Sequence, residues 1–358
     1  DISTVFDSNA GKIVISYRDP PTNDAAGTSI VGTVSGTTIS FGSKVVFETS
    51  YTYGITSVFD SSSNKIIIAY RDAYVTGNLI VVGTVSGTSI SFGTAYRFNT
   101  VDNSHNRLIF DTQTNKPILF YKVNGATELI GSVVNVSGTS VSLGTPLTLD
   151  IYSGSSTSDL QFVWDSTANK IVIVFADRAN SDYGTSGIVA FPNSNLTAEN
   201  FIGFSPGSVG IESRTQAVGS ETVFEAASST QFGSTFDTSN NKVVFSYTDA
   251  GNSNKGTAIV GTISDTSISF GSAVEFEQGA TESHAATFDT NSNKVVLAYR
   301  DQGNSNYGTA IVGTVSGTNI SFGSAVAFVS SNSDYIRIVF DSNSNKVVIS
   351  YVDLGDSN

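Results

Sequence analysis

The chain has 358 residues, 31 acidic and 18 basic side chains, a net charge of −13, and neither cysteine nor methionine. This charge argues against nucleic-acid binding, which depends on Lys and Arg at the phosphates. The lack of cysteine excludes disulfides, thiolate catalysis and cysteine-ligated metals. No apolar run has the length of a membrane-spanning helix, so we expect no membrane insertion. The chain begins with Asp1 instead of Met, which indicates a processed or partial chain.

Seven copies of an Asp that ends an apolar or aromatic run divide the chain into units. The copies are Asp7, Asp60, Asp111, Asp165, Asp237, Asp289 and Asp341, at intervals of 53, 51, 54, 72, 52 and 52 residues. Each unit predicts four strands, a to d, rich in Val, Ile, Thr and aromatic residues. In the sixth unit, strand a ends at Asp289 and the others are Lys294–Arg300, Thr309–Val315 and Ile320–Phe328.

Four strands in a repeat of about 52 residues predict an all-β fold, a β-propeller of four-stranded antiparallel blades. We expect a single domain over residues 1–358 with seven blades. Six blades and a β-solenoid are the alternatives. Because the sequence contains seven a–b hairpins but six c–d hairpins, we expect the strands that complete the last blade to lie outside this chain.

The turns between strands repeat closely. Four residues after each repeated Asp stands Gly11, Asn64, Asn115, Asn169, Asn241, Asn293 or Asn345, followed by Lys. Gly and Asn tolerate the left-handed conformation, and the Asp side chain can accept hydrogen bonds from turn amides. The Ser-Gly-Thr sequence of the c–d turns predicts a tight hairpin with Gly at positive φ.

The fourth interval is about 20 residues longer than the others because of an insertion at 192–218. We expect this insertion to project from the fourth repeat as a contact surface. The d–a loops differ from unit to unit and are acidic, whereas the a–b turns are uniform and carry lysines. The predicted d–a loops are Glu48–Gly54, Asn99–Asn106, Asp150–Asp159, Glu225–Gly233, Glu277–His284 and Val329–Asp334. Divergent loops on a constant scaffold favour a binding face, and its charge suits cations, neutral glycans or a basic partner.

Aromatic and basic side chains near these loops are candidates for ligand binding. They are Tyr17, Arg18, Tyr70, Arg71, Tyr299 and Arg300 at the ends of b strands, Tyr51 and Tyr53 in the first d–a loop, and His105 and His284 in later ones. Tyr and Arg at such positions can stack on a sugar and donate hydrogen bonds to it. The alternatives are tyrosines that pack between blades, local Arg–Asp pairs, and surface histidines without a role.

A recurring pattern in the b–c loops offers oxygen ligands for Ca²⁺. Its residues are Asp177, Asn180, Asp182, Asp249, Asn252, Asn254, Asp301, Asn304 and Asn306. Calcium takes six to eight oxygen ligands, but the spacing differs from that of an EF-hand and no bidentate Glu follows. Asx turns that satisfy themselves explain the pattern equally well. Apart from this calcium hypothesis, we expect no cofactor.

The sequence lacks the familiar catalytic motifs. It contains no Gly-x-Ser-x-Gly elbow, no His-Glu-x-x-His and no phosphate-binding glycine loop. The many loop carboxylates single out no pair suited to glycoside hydrolysis. We therefore expect a protein that is not an enzyme, with a glycan-degrading propeller as the alternative.

The units from Phe288 to Lys294 and from Gly308 to Gly317 resemble repeats of tail-fibre-like and other structural proteins of marine bacteriophages. The segment from Asn195 to Gly203 is similar to one that follows such repeats in those proteins, but here it lies inside the array. The resemblance implies an adhesive module on a virion or cell-surface appendage, located on the virion surface or extracellularly. Its partners would be a host glycan or surface protein and other virion or appendage subunits. A structural spacer is the alternative, and no catalytic residues are implied.

Overall fold

The computed structural model describes residues 1–19, 25–74, 77–100, 103–123, 129–149, 160–190 and 217–355. These residues form 28 strands in antiparallel pairs and three single-turn 3₁₀ segments, Arg178–Asn180, Ala250–Asn252 and Gln302–Asn304. No helix in this part of the chain is long and apolar enough to cross a membrane. The predicted all-β class is confirmed. The insertion predicted at 192–218 lies outside the described residues except for its last two.

The strands follow the units in order. The first unit has β1 (Ile2–Asp7), β2 (Lys12–Asp19), β3 (Ala26–Ser35) and β4 (Thr38–Phe41), and β5 (Val45–Asp60) leads into the second, with β6 (Lys65–Asp72), β7 (Asn78–Ser86), β8 (Ser89–Phe92) and β9 (Tyr96–Arg97). The third has β10 (Asn103–Asp111), β11 (Lys116–Val123), β12 (Leu129–Ser137), β13 (Ser140–Leu143) and β14 (Leu147–Leu149).

The fourth unit has β15 (Gln161–Asp165), β16 (Lys170–Asp177), β17 (Tyr183–Ala190) and β18 (Ala217–Val218), and β19 (Thr222–Asp237) leads into the fifth, with β20 (Lys242–Asp249), β21 (Lys255–Ser264) and β22 (Ser267–Phe270). In the same way β23 (Val274–Asp289) leads into the sixth, with β24 (Lys294–Asp301), β25 (Tyr307–Ser316) and β26 (Asn319–Phe322), and β27 (Val326–Asp341) leads to β28 (Lys346–Asp353).

Within a unit, strands a, b and c pair in sequence order, as β1, β2 and β3 do. The fourth strand differs from the prediction, because two short pieces share its place. In the sixth unit, β26 pairs with the second half of β25, and the start of β27 pairs with the first half. The strand predicted at Ile320–Phe328 is therefore interrupted between Phe322 and Val326.

Four strands of 16 residues, β5, β19, β23 and β27, each belong to two units. The first half of β5 pairs with β3 of the preceding unit, and its second half pairs with β6 of the next. The d–a loops predicted at Glu48–Gly54, Glu225–Gly233, Glu277–His284 and Val329–Asp334 are thus segments of continuous strands. That prediction was wrong, because the backbone at these positions pairs with both neighbouring units. The loop predicted at Asp150–Asp159 lies outside the described residues.

The long strands also place the units around a common axis. The strand a segments, namely β1, the second half of β5, β10, β15 and the second halves of β19, β23 and β27, are neighbours in chain order, and β27 returns to lie beside β1. Polar side chains connect these neighbours. Ser3 Oγ lies 2.8 Å from Ser57 Oγ, and Thr56 Oγ1 accepts from the amide of Leu108.

The predicted turns are confirmed in detail. In all seven a–b turns one carboxylate oxygen of the repeated Asp accepts hydrogen bonds from the amides two and three residues later. The Gly or Asn four residues after the Asp has φ between 52° and 62°. In the c–d turns, Gly36, Gly87, Gly138 and Gly317 have φ between 61° and 63°. Asp265 occupies the corresponding place in the fifth unit, with φ of 58°.

The hydrophobic core lies between successive units. In one cluster, Val244 and Val260 of the fifth unit pack with Leu297, Tyr299 and Ile311 of the sixth. The backbones of neighbouring units also come very close at the c–d turns. A Cβ added to Gly271 would lie 1.8 Å from the carbonyl oxygen of Thr318 in the next unit. A glycine is therefore required at this contact.

The Asp turn gives a direct stability test. Asp237 is buried and accepts from the amides of Ser239 and Asn240 and from both of their side chains. We expect Asp237→Ala to lower the free energy of unfolding by about 2 kcal/mol or more, since these donors lose a charged acceptor. Urea unfolding measures the change. Asp265→Gly is the matched control and should not destabilise, because glycine adopts this positive φ without strain. Equal losses in both variants would contradict this account.

Candidate functional site

The long strands share one irregularity at the end of the units where the b–c turns lie. Each skips two residues in its pairing with strand b. The first skipped residue is Gly54, Gln231, Ser283 or Tyr335, with φ between 51° and 56°. The second is Ile55, Phe232, His284 or Ile336, and each of these is buried. The bulge thus anchors one side chain in the core and presents its neighbours at this end of the fold.

Beneath the bulges lie three Tyr–Glu pairs, each with a buried tyrosine and a half-buried glutamate. The hydroxyls of Tyr70, Tyr247 and Tyr299 donate to Glu48, Glu225 and Glu277 at 3.1–3.2 Å. Burial raises the pKa of each tyrosine, and it raises the pKa of Glu225 as well. Tyr70 and Tyr299 are fully buried and do not present their rings to solvent. These glutamates, expected on an acidic loop face, are engaged by the core.

Four of the predicted residues come together where the first and second units meet. Tyr51 and Tyr53 of β5 have ring centroids 4.6 Å apart at an interplanar angle of 40°. The guanidinium carbon of Arg18 lies 5.0 Å from the Tyr51 ring centroid and 5.7 Å from that of Tyr53. The guanidinium carbon of Arg71, in the second unit, lies 5.8 Å from the ring centroid of Tyr53. We call Arg18, Tyr51, Tyr53 and Arg71 the Tyr–Arg cluster.

Local structure explains this arrangement. Arg18 and Arg71 occupy the same place near the end of strand b in two consecutive units. Tyr53 pairs with Arg71 across the strands, immediately before the bulge at Gly54. The Tyr53 side chain is 38% exposed, and Tyr74, two residues after β6 ends, is 70% exposed. The cluster therefore offers accessible aromatic surface and guanidinium donors held by cation–π contacts.

Arg300 and Tyr17 have other surroundings. Arg300 forms ion pairs with Glu282 and Asp334, the latter at 3.5 Å. Tyr17 is half-buried beside Lys44, whose Nζ lies 5.8 Å from the ring centroid and forms a salt bridge with Asp19. Burial raises the pKa of the Tyr17 hydroxyl. The structure does not bring either residue into the Tyr–Arg cluster.

The two histidines lie on strands. His105 lies in β10, where its backbone pairs with Lys122 of β11, and the side chain of His105 is outside the described part. His284 was expected at the surface, and the structure corrects this expectation. It is buried at the second bulge position, and its Nε2 lies 2.9 Å from Thr281 Oγ1. Its ring packs on Phe276, and burial lowers the pKa of the imidazole to about 3.

This burial predicts a dependence of stability on pH. Because the pKa of His284 is lower in the folded state than its ordinary value of 6.5, its contribution is fully present above pH 6.5. The contribution is lost as the pH falls from 6.5 towards 3. The matched variant is His284→Ile, because isoleucine stands at the corresponding bulge position in Ile55 and Ile336. Between pH 7 and pH 5, we expect the free energy of unfolding to fall by about 2 kcal/mol less in this variant than in the wild type. Urea unfolding at both pH values measures the difference, and equal losses would contradict a neutral buried imidazole.

The candidate calcium residues form turns around the 3₁₀ segments. Asp177 accepts from the amide of Ala179 at 3.0 Å, and Asp301 accepts from the amide of Asn304 at 3.1 Å. The residues Ser181, Asp182, Ser253, Asn254, Ser305 and Asn306 all have φ near 60°. Burial raises the pKa of Asp249. In the described ranges no group of three or more His, Asp or Glu residues is placed to hold a metal ion.

Because Asp177 and Asp301 already accept hydrogen bonds from amides of their own turns, we expect calcium to have no effect on stability. The melting temperature should be the same in millimolar CaCl₂ and in EDTA. A calcium-dependent rise in melting temperature that Asp301→Asn abolishes would instead support the calcium hypothesis.

Sequence reasoning missed the bulges and the Tyr–Glu pairs. The pairs do carry a signal, since Glu and Tyr are 22 residues apart in all three cases. The bulges carry none, because Gly54, Gln231, Ser283 and Tyr335 share no side-chain chemistry.

Antiparallel units whose innermost strands surround a common axis make this chain an all-β protein of the β-propeller type. No protein-family model and no curated protein matches the chain. Among solved structures, a protein from Lactobacillus plantarum matches with a TM-score of 0.56 and 10% identity over 90% of this chain and 83% of its own. YjhT matches with a TM-score of 0.54 and 7% sequence identity, over 90% of this chain and 97% of its own. AofleA from Arthrobotrys oligospora matches with a TM-score of 0.52 and 11% sequence identity, over 91% of this chain and 87% of its own. These likenesses show the fold alone, and none of them links the chain to phage tail fibres.

Proposed function

We propose that this chain is a non-enzymatic module that binds glycans through the Tyr–Arg cluster. The observation that carries the proposal is the pair of adjacent tyrosine rings between arginines of two consecutive units. Tyrosine faces stack on the C–H faces of sugars, and guanidinium groups donate hydrogen bonds to hydroxyl or carboxylate oxygens. Such a surface suits a sugar better than it suits an apolar ligand.

The scaffold supports this proposal. We propose seven blades, one for each repeated Asp, with the seven strand a segments around the axis. The bulge recurs in four units, but its first residue differs from one unit to the next: it is Gly54, Gln231, Ser283 or Tyr335. Contacts with a ligand can therefore change from unit to unit without disturbing the core. A setting on a virion or cell-surface appendage is part of the proposal that rests on the repeat resemblance alone.

Binding to an array of neutral and acidic oligosaccharides tests the function. We expect Tyr53→Ala and Arg18→Gln each to weaken binding of the best glycan about fivefold, because each removes one stacking or cation–π partner worth about 1 kcal/mol. Mass spectrometry of the bound oligosaccharide should show no cleavage.

Tyr96→Ala and Arg97→Gln on β9 are the matched controls. Tyr96 is 40% exposed, close to the 38% of Tyr53, and it lies on an outer strand away from the bulges. Binding should be unchanged in both. Failure of the folded wild type to bind any glycan, or equal weakening by the controls, would contradict the proposal, and release of a shorter sugar would favour the enzyme.

A further inference from the structure

In the described part of the chain, the outer edge of β28 lies beside an apolar gap. In each of the first six units, strand b pairs with strand a on one side and with strand c on the other. Among the described residues, β28 pairs only with β27. Its outer backbone groups therefore face a gap between the sixth and first units.

The first wall of this gap is the face of the first unit. A cavity of about 590 Å³ lies between Ile15, Ile30, Ile39 and Phe41 of this unit and the β28 segment that contains Val348. In the second unit the residues at the same positions as Ile15, Ile30 and Ile39 are Ile68, Val81 and Ile90, and they are at most 3% exposed. In the first unit these positions are only half-buried, and Phe41 is 48% exposed.

The second wall is the face of the sixth unit. Val312 of β25 is 45% exposed, whereas Val31, Val82 and Val260 at the same position in other units are 0% exposed. Val326 nearby is 65% exposed. Both walls therefore expose the valine and isoleucine positions that a neighbouring c strand covers elsewhere in the fold.

Gly323 supplies an independent sign of the same gap. At Gly42, Gly93, Gly219 and Gly271, an added Cβ would lie 1.8–2.6 Å from the carbonyl oxygen of a threonine in the next c–d turn. At Gly323, which follows Ser-Phe as Gly42, Gly93 and Gly271 do, the nearest atom is the carbonyl oxygen of Val312 in its own unit, at 3.8 Å. The glycine needed for this close contact is present without the turn that makes the contact.

From these observations we propose that the gap is a docking site for a β-hairpin with the sequence pattern of strands c and d of the repeat. The occupant adds a strand to the open edge of β28, antiparallel to it. Continuity with the existing interfaces selects this occupant. The c–d hairpin of the second unit packs against the first unit on one face and the third on the other, and that of the fifth unit packs in the same way between the fourth and sixth. The inference is independent of the glycan-binding proposal.

The sixth unit fixes the register. There Val295 pairs with Gly313 and Tyr299 with Thr309. The equivalent residues of β28 are Val347 and Tyr351, so they should face the Gly and Thr of the incoming strand. Its Ala-x-Val residues then fill the cavity against Ile30, and its isoleucine covers Val312. The carbonyl group of its turn threonine lies against Gly323.

A labelled peptide with the sequence of Tyr307–Ser324 tests the proposal by fluorescence anisotropy with the full chain. We expect saturable binding, slower hydrogen exchange of the β28 amides, and a higher melting temperature. Gly323→Ala should weaken binding more than about tenfold, since its Cβ would overlap the turn carbonyl. The fold should tolerate this change, because the site is open in the absence of the hairpin.

Two matched controls and a second arrangement make the test decisive. Gly144→Ala is made at the corresponding glycine of the third unit, where the nearest atom among the described residues is Val133 Cβ at 3.5 Å, and it should leave binding unchanged. A peptide carrying Val312→Asp should not bind. If the free peptide aggregates, a second copy of the segment Gln302–Ser324 replaces residues 354–358, directly after Asp353. This extended chain should have a higher melting temperature than the original, and Gly323→Ala should abolish the rise. No binding and no stabilisation, or effects insensitive to Gly323→Ala, would overturn the proposal.

Discussion

The architecture depends on a strand that must hydrogen-bond to two units at once. A strand that leaves one sheet and enters the next has to turn, and here it turns without losing backbone pairing. The amides of Ser229, Thr281 and Ser333 donate to Asp182, Asn254 and Asn306 of the preceding unit, at 2.9–3.1 Å. Immediately afterwards a two-residue bulge with one left-handed residue redirects the chain. At four of the six boundaries between units, a long strand thereby connects the two units by backbone hydrogen bonds as well as by side-chain packing.

This connection separates what the scaffold needs from what a ligand would meet. The second bulge residue and the tyrosines of the Tyr–Glu pairs are buried, so the core restricts their identity. The residues just before the bulge stand at the end of the fold, where Tyr53 in the second unit is replaced by Glu282 in the sixth. In the second unit such a residue completes the Tyr–Arg cluster, whereas in the sixth it forms an ion pair with Arg300. The same backbone thus carries different surface chemistry from unit to unit.

Much of the fold could be predicted from the sequence because its signals are local. The Asp carboxylate, the Asn or Gly four residues later and the c–d glycine each determine a turn through nearby backbone geometry. The continuity of β5 could not be predicted, since Glu48–Gly54 is polar and resembles a loop, and its pairing partners lie in two different units. His284 was misjudged for a related reason, because burial at the bulge depends on a skipped register that leaves no pattern in the sequence. Tyr51 and Tyr53 could be named as candidates, but their contacts with Arg18 and Arg71 required the structure.

Amide hydrogen exchange across the unit boundaries tests the central claim most directly. If the long strands are continuous, the amides of Ser229, Thr281 and Ser333 exchange as slowly as those of Val244 and Leu297 in the interior b strands. If the units are joined by loops, these three amides exchange at the rates of exposed turns while the b strands stay protected. The second result would contradict the account of both the scaffold and the placement of the Tyr–Arg cluster.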